Sequence, residues 1–245
     1  QRYRSTFPNL ILTNFYEFRL YRNGARVDSV LLARPFIQTR LQTAPPLENP
    51  EQLSALFDHF LAFSLPQTFT AENLAIELAK RTRFLREVIT QQLAEEKDRP
   101  GVLTGFYEAF KQYLIGDLTL EAFADLYAQT ITYGLFAART RAGEAFNRRN
   151  AFDSIPHTIG VLRDLFRFIS LGDLPPQLEW IIDDISNVLA VADISKLLSD
   201  FFNEGKGRDP VVHFYETFLA EYDPEERERR GVYYTPEPVV SYIVR

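Results

Sequence analysis

The 245-residue chain has no cysteine, no methionine and one tryptophan. Without cysteine there is no disulfide framework, no thiolate zinc site and no thiol nucleophile, as suits a reducing compartment. Without methionine the sequence does not open on an initiator residue, and it stops inside a helix-like pattern at Arg245. Both features suggest an internal piece of a longer polypeptide, in which a complete active site is not expected. Positive charge is also short: 27 Lys and Arg stand against 33 Asp and Glu, for a net charge of -6. That balance argues against a nucleic-acid binder that works through its whole surface field, so any such contact is local or lies in other parts of the polypeptide. No apolar run approaches the length of a membrane span. Gln1-Arg2-Tyr3-Arg4 does not open a signal peptide. His59, His157 and His213 are isolated, with no ligand-like spacing. No Gly-rich phosphate loop, Ser/His/Asp arrangement or internal repeat is evident.

What is present is an ordinary globular composition, 46% hydrophobic and 24% charged. One strongly β stretch runs from Asn9 to Ala33. Phe18 and Leu20 alternate with Glu17 and Arg19, which predicts one buried and one wet face. Asn23-Gly24 accepts positive φ at both positions and predicts a tight hairpin turn, with Val27 to Leu32 as the return strand. Such a hairpin must dock on another element. Pro45, Pro46 and Pro50 then mark a linker between Leu41 and Pro50.

From Glu51 onward the period is helical. Leu53, Leu56, Phe57, Phe60 and Leu61 share one face, and Pro66 ends that helix. Ala71 to Glu96 predicts a long amphipathic helix with a stripe of Leu74, Leu78, Leu85, Val88, Ile89 and Leu93. Lys80, Arg81, Arg83 and Arg86 are placed opposite, as a solvated face or, in the alternative, one turned to DNA. Val102 to Ile115 is a further helix. Thr119 caps another that reaches Arg139, where Ala124, Ala128, Gly134, Ala137 and Ala138 permit close helix approach. Burial there would oblige Gln129, Thr130 and Tyr133 to find hydrogen-bond partners. Arg139, Arg141, Arg148 and Arg149 follow in a polar loop, either a plain surface loop or a contact to phosphate. Helical patterns continue over Ile155 to Ile169, Pro175 to Val191, Ile194 to Phe202 and Val211 to Tyr222, the last expected to bury its aromatic face against the segment after it. Asp183 and Asp184 are adjacent carboxylates that diverge by about 100° on a helix and cannot easily share one metal. Trp180 is expected in the core or at an interface.

Gly231-Val232-Tyr233-Tyr234-Thr235-Pro236-Glu237 reads as a loop feeding a helix. Thr235 can cap, Pro236 suits the first helical position, and Glu237 favours the positive end of the helix dipole. Such an end presents free N–H groups to an anion. Arg229-Arg230-Gly231-Val232-Tyr233-Tyr234-Thr235-Pro236 resembles the opening motif of N6-adenine DNA methyltransferases fused to restriction enzymes, of the type IIG or type ISP kind. Pro8 to Phe15 with Phe18 to Gly24 resembles the final strands of the nuclease domain in those enzymes. Glu121 to Arg139 resembles their helical connector. The three segments occur in the family's order, with no motor-domain sequence between hairpin and connector.

The resemblance implies a mainly α fold: a multi-helix connector bundle with an N-terminal β-hairpin belonging to a truncated α/β nuclease domain. Its parts would be residues 1–45 (nuclease-end hairpin), 46–224 (connector) and 225–245 (linker and methyltransferase start). It implies S-adenosylmethionine as cofactor, with Tyr233, Tyr234, Thr235 and Pro236 against its methionine end. Partners would be double-stranded DNA and the flanking nuclease and methyltransferase domains, in a bacterial or archaeal cytoplasm. Mg2+ would serve the nuclease through ligands upstream. The base-binding Asn-Pro-Pro-aromatic motif is absent from the chain, as is the Gly-containing cofactor loop. The chain alone is therefore expected to be inactive. The alternative is a non-enzymatic helical interaction scaffold with aromatic patches for protein partners.

Overall fold

The computed structural model describes residues 2–41, 44–63, 69–97, 101–143, 146–155, 160–204, 210–225 and 243. The chain divides into two compact units, Gln1–Leu65 and Pro66–Arg245. It is mainly helical, with one small antiparallel sheet near the N-terminus.

The first unit holds α1 (Arg2–Thr6), β1 (Asn9–Thr13), β2 (Glu17–Arg22), β3 (Ala25–Leu31), α2 (Pro35–Leu41) and α3 (Pro50–Leu61). The sheet has three strands in the order β1-β2-β3 rather than the two of a hairpin. The stretch from Leu10 to Tyr21, expected to be continuous, is folded at Asn14. The Asn14 side chain accepts the N–H groups of Tyr16 (3.1 Å) and Glu17 (2.8 Å), and Thr13 Oγ1 accepts that of Phe15 (2.8 Å). Phe15 takes the left-handed conformation, φ 67°, at the corner. The second turn is the expected one, with Asn23 at φ 48° and Gly24 at φ 79°.

Leu20, Val30 and Leu56 form the core of this unit, with Ile11, Phe18, Leu53 and Phe60 packed around them. The helix α3 therefore supplies the second layer that a lone sheet lacks. Asn9 Nδ2 donates to the Phe60 carbonyl at 2.9 Å and Arg22 Nη2 to the His59 carbonyl at 2.6 Å, which fixes the end of α3 on the strands. The break between compact units falls at 65/66, beyond α3.

The second unit is built round α4 (Ala71–Glu95), which meets α5 (Val102–Tyr113), α6 (Leu120–Arg139), α9 (Pro176–Val191) and α11 (Pro210–Tyr222). Its other described elements are a short α7 (Arg148–Ala151), a 3-10 turn (Phe152–Ser154), α8 (Gly160–Leu171) and α10 (Ile194–Glu204). Thr70 caps α4 and Thr119 caps α6, each accepting a backbone N–H three residues on, from Asn73 and Ala122. Gly134 is a close-approach position: a Cβ there would stand 2.4 Å from the ring of the buried Phe166. Thr82 Oγ1 donates to Thr132 Oγ1 at 2.8 Å in the buried α4–α6 seam. The polar residues of α6 find their partners: Gln129 donates to Asp125, Thr130 to the Leu126 carbonyl and Tyr133 to the Val211 carbonyl. Phe214 of α11 stacks on Phe136 at 4.0 Å. Among the described residues the aromatic face of α11 packs back onto α4 and α6; the segment after it, against which burial was expected, lies almost wholly outside the described residues.

Candidate functional site

Tyr233, Tyr234, Thr235 and Pro236 lie outside the described residues. What is described is the helical unit that leads to them, and the arrangement of its arginines and carboxylates.

Arg148 begins α7 and is 3% exposed, not a member of a polar loop. Asn147 caps this short helix in a reciprocal box with Asn150. Arg148 Nε donates to Asp183 Oδ1 at 2.7 Å, Nη2 to Glu179 Oε1 at 2.5 Å and Nη1 to the Ile169 carbonyl at 2.6 Å. Arg139, at the end of α6, donates to the carbonyls of Leu189 (3.1 Å), Ala142 and Gly143 (both 3.4 Å) and Ala192 (3.5 Å). Both guanidiniums fasten helices together. Arg141 and Arg149 are exposed. The four arginines named from the sequence thus separate into two internal fasteners and two solvent-facing cations.

The basic face of α4 is divided in the same way: Arg81 is buried, while the side chains of Lys80 and Arg86 stay partly exposed. Arg81 is 1% exposed, with Nε on Asp184 Oδ2 at 2.7 Å and Nη1 on Glu77 Oε2 at 2.6 Å. Lys80 also reaches Glu77, at 2.9 Å. Burial works to raise the Glu77 pKa, but hydrogen bonds from Lys80 and Arg81 outweigh it and hold the carboxyl below its ordinary value. Asp183 and Asp184 therefore diverge as helical geometry requires: one answers Arg148 from α7, its neighbour answers Arg81 from α4. Among the described residues, no group of three or more acidic or histidine side chains could hold a metal ion.

A third polar cluster lies where α11 ends. Arg83 Nη1 donates to the carbonyls of Glu221 (2.8 Å) and Tyr222 (3.0 Å). The Tyr222 hydroxyl donates to Asp125 Oδ1 at 2.5 Å, and Asp125 also takes Gln129 (2.7 Å) and Arg86 (3.4 Å). Burial and the adjacent Asp125 carboxylate push the Tyr222 phenol well above its ordinary pKa, so it stays a hydrogen-bond donor. Trp180 is half-exposed and meets Phe84 edge-on at 6.2 Å.

Chemically, these clusters position helices; none of them presents an unpaired base beside a nucleophile. No protein-family model, curated protein or solved structure matches the chain.

Proposed function

We propose that this chain is the helical connector of a DNA restriction–modification enzyme. The whole enzyme transfers a methyl group from S-adenosylmethionine to adenine N6 and cleaves unmodified DNA. The observation that carries the proposal is the ordering of Gly231-Val232-Tyr233-Tyr234-Thr235-Pro236 shortly after a helix whose last turn is tied to the body at three side chains, Arg83, Asp125 and Tyr222. A connector needs such a fixed point of departure, because catalytic groups tolerate little misplacement.

Tyr233, Tyr234, Thr235 and Pro236 would line the cofactor's methionine end, and the N–H groups of the helix start would face its carboxylate. The cofactor supplies an electrophilic methyl group, and the residues that grip the adenine lie outside this chain. Double-stranded DNA is the proposed partner, and Arg141 and Arg149 are the exposed arginines offered to its phosphates. The cleavage reaction and its Mg2+ belong to upstream residues. A bacterial or archaeal cytoplasm is the compartment this reading implies.

Calorimetric titration of the longer polypeptide with S-adenosylmethionine tests the proposal. Tyr234→Ala should weaken binding about tenfold or more, the loss expected for an aromatic anchor. Indifference to that change would favour a non-enzymatic scaffold, a reading that draws on the exposed Tyr113, Leu114 and Leu120 around the α5–α6 turn.

A further inference from the structure

The last carbonyls of an α-helix have no partner within the helix, and water, a glycine turn or a nearby cation commonly satisfies them. At the end of α11 the partner is a guanidinium from α4, which reaches two successive carbonyls at 2.8 and 3.0 Å. A cation is also the charge that the C-terminal end of a helix dipole favours. The same turn is held a second time, from α6, by the 2.5 Å hydrogen bond between Tyr222 and Asp125. Tyr222 is 4% exposed and its ring lies parallel to Phe218, 5.6 Å away. Aromatic packing of Phe214 and Phe218 would suffice to seat the axis of α11. It would leave the terminal turn free to fray or rotate, since apolar contacts are non-directional. The two polar attachments remove that freedom.

We propose that Arg83, Asp125 and Tyr222 form a latch that sets the heading of the chain from Asp223 onward, and that they are positioning residues for the domain the chain enters there. The latch follows from geometry alone; its catalytic consequence rests on the methyltransferase reading.

The lack of cysteine makes a direct measurement simple. Asn187→Cys on α9 and Glu225→Cys, both at exposed positions, give two spin-label sites with no background. The pulsed electron resonance distance between them should be narrow with the latch intact. Tyr222→Phe keeps the ring and loses one hydroxyl; Arg83→Met keeps the stem and loses the fork. Each should about double the width of the distribution through local opening of the last turn. Arg83→Lys, which keeps the charge, should recover part of the loss. Trp180 fluorescence during urea unfolding shows whether each variant is folded. Unchanged widths in folded Tyr222→Phe and Arg83→Met would overturn the latch.

In the longer polypeptide, Arg83→Met should slow single-turnover methyl transfer about tenfold or more while cofactor affinity stays within about threefold. A broadened distribution with an unchanged transfer rate would overturn the positioning role. An unsubstituted polypeptide that binds no S-adenosylmethionine would overturn the methyltransferase reading instead, and the distance distributions would still decide the latch.

Discussion

The two compact units place their charges differently. In residues 1–65 the ion pairs Glu17–Arg19 and Arg34–Glu48 sit on the surface, and the interior is Leu20, Val30 and Leu56 with their apolar neighbours. In the helical unit, Arg81 and Arg148 are inside, each held by two carboxylates. The difference follows from what each secondary structure already specifies. Strands are registered by their own backbone ladder, and a one-residue slip would turn every side chain to the wrong face. Helices pack through ridges and grooves with wide angular tolerance, so apolar contact alone leaves several seatings close in energy. Directional hydrogen bonds from a buried guanidinium select one of them. Their gain is mainly in definition, since burying the charges offsets much of the attraction.

The comparison is most easily broken at Arg148. Arg148→Met leaves Asp183, Glu179 and the Ile169 carbonyl without their donor and should cost about 2–4 kcal/mol, less than for a fully buried pair because both carboxylates are partly exposed and can be rehydrated. Urea unfolding followed by Trp180 fluorescence measures this within the helical unit. The matching change Arg19→Met, at an exposed pair, should leave amide exchange along β2 unaltered. Equal indifference at both positions would erase the distinction.

A smaller effect, about 1–3 kcal/mol, is expected from Gly134→Ala, which drives a methyl into the Phe166 ring. The same unfolding assay reads it. A neutral result would mean that α6 and α8 can shift apart, contrary to a single fastened seating.

The smallest effect is one of acidity. The Glu77 carboxyl has a folded pKa below its free value of 4.5, so the folded state releases this proton more readily than the unfolded chain does. Its contribution is complete above the free value and is lost as pH falls through the lower, folded one. The urea midpoint should therefore drop on acidification through this range, and Glu77→Gln should flatten that drop. An identical pH profile in the variant would show that Glu77 is not linked to folding.

Much of the fold could be read from local pattern. Thr119 could be read as the cap of α6, and it accepts the Ala122 N–H there; Thr70, which caps α4, was not singled out. The third strand was not legible, because the turn between β1 and β2 contains no glycine and is made by the Asn14 and Thr13 side chains, with Phe15 forced into positive φ. The buried arginine of α4 left a trace that amphipathic reasoning passes over. Leu74, Leu78, Leu85 and Val88 are spaced by four, seven and three, and position 81 is the missing member of that stripe. Arg81 occupies it, and all four of those apolar neighbours are buried. No local pattern could name its partner, since Asp184 lies 103 residues further on. The exposed arginines are read from the same side: a guanidinium in sequence looks alike whether it meets phosphate or, as Arg139 does, the carbonyls at the end of α9. The tyrosine-bearing motif, which sequence singles out most sharply, lies outside the described residues.

Adjacent aspartates that serve arginines on two different helices fix the orientation of α9 about its own axis. A rotation by a single residue, about 100°, would withdraw Asp183 from Arg148 and Asp184 from Arg81 together. The helix is keyed rather than merely greased into place: moving one carboxylate undoes one lock, and turning the helix undoes both.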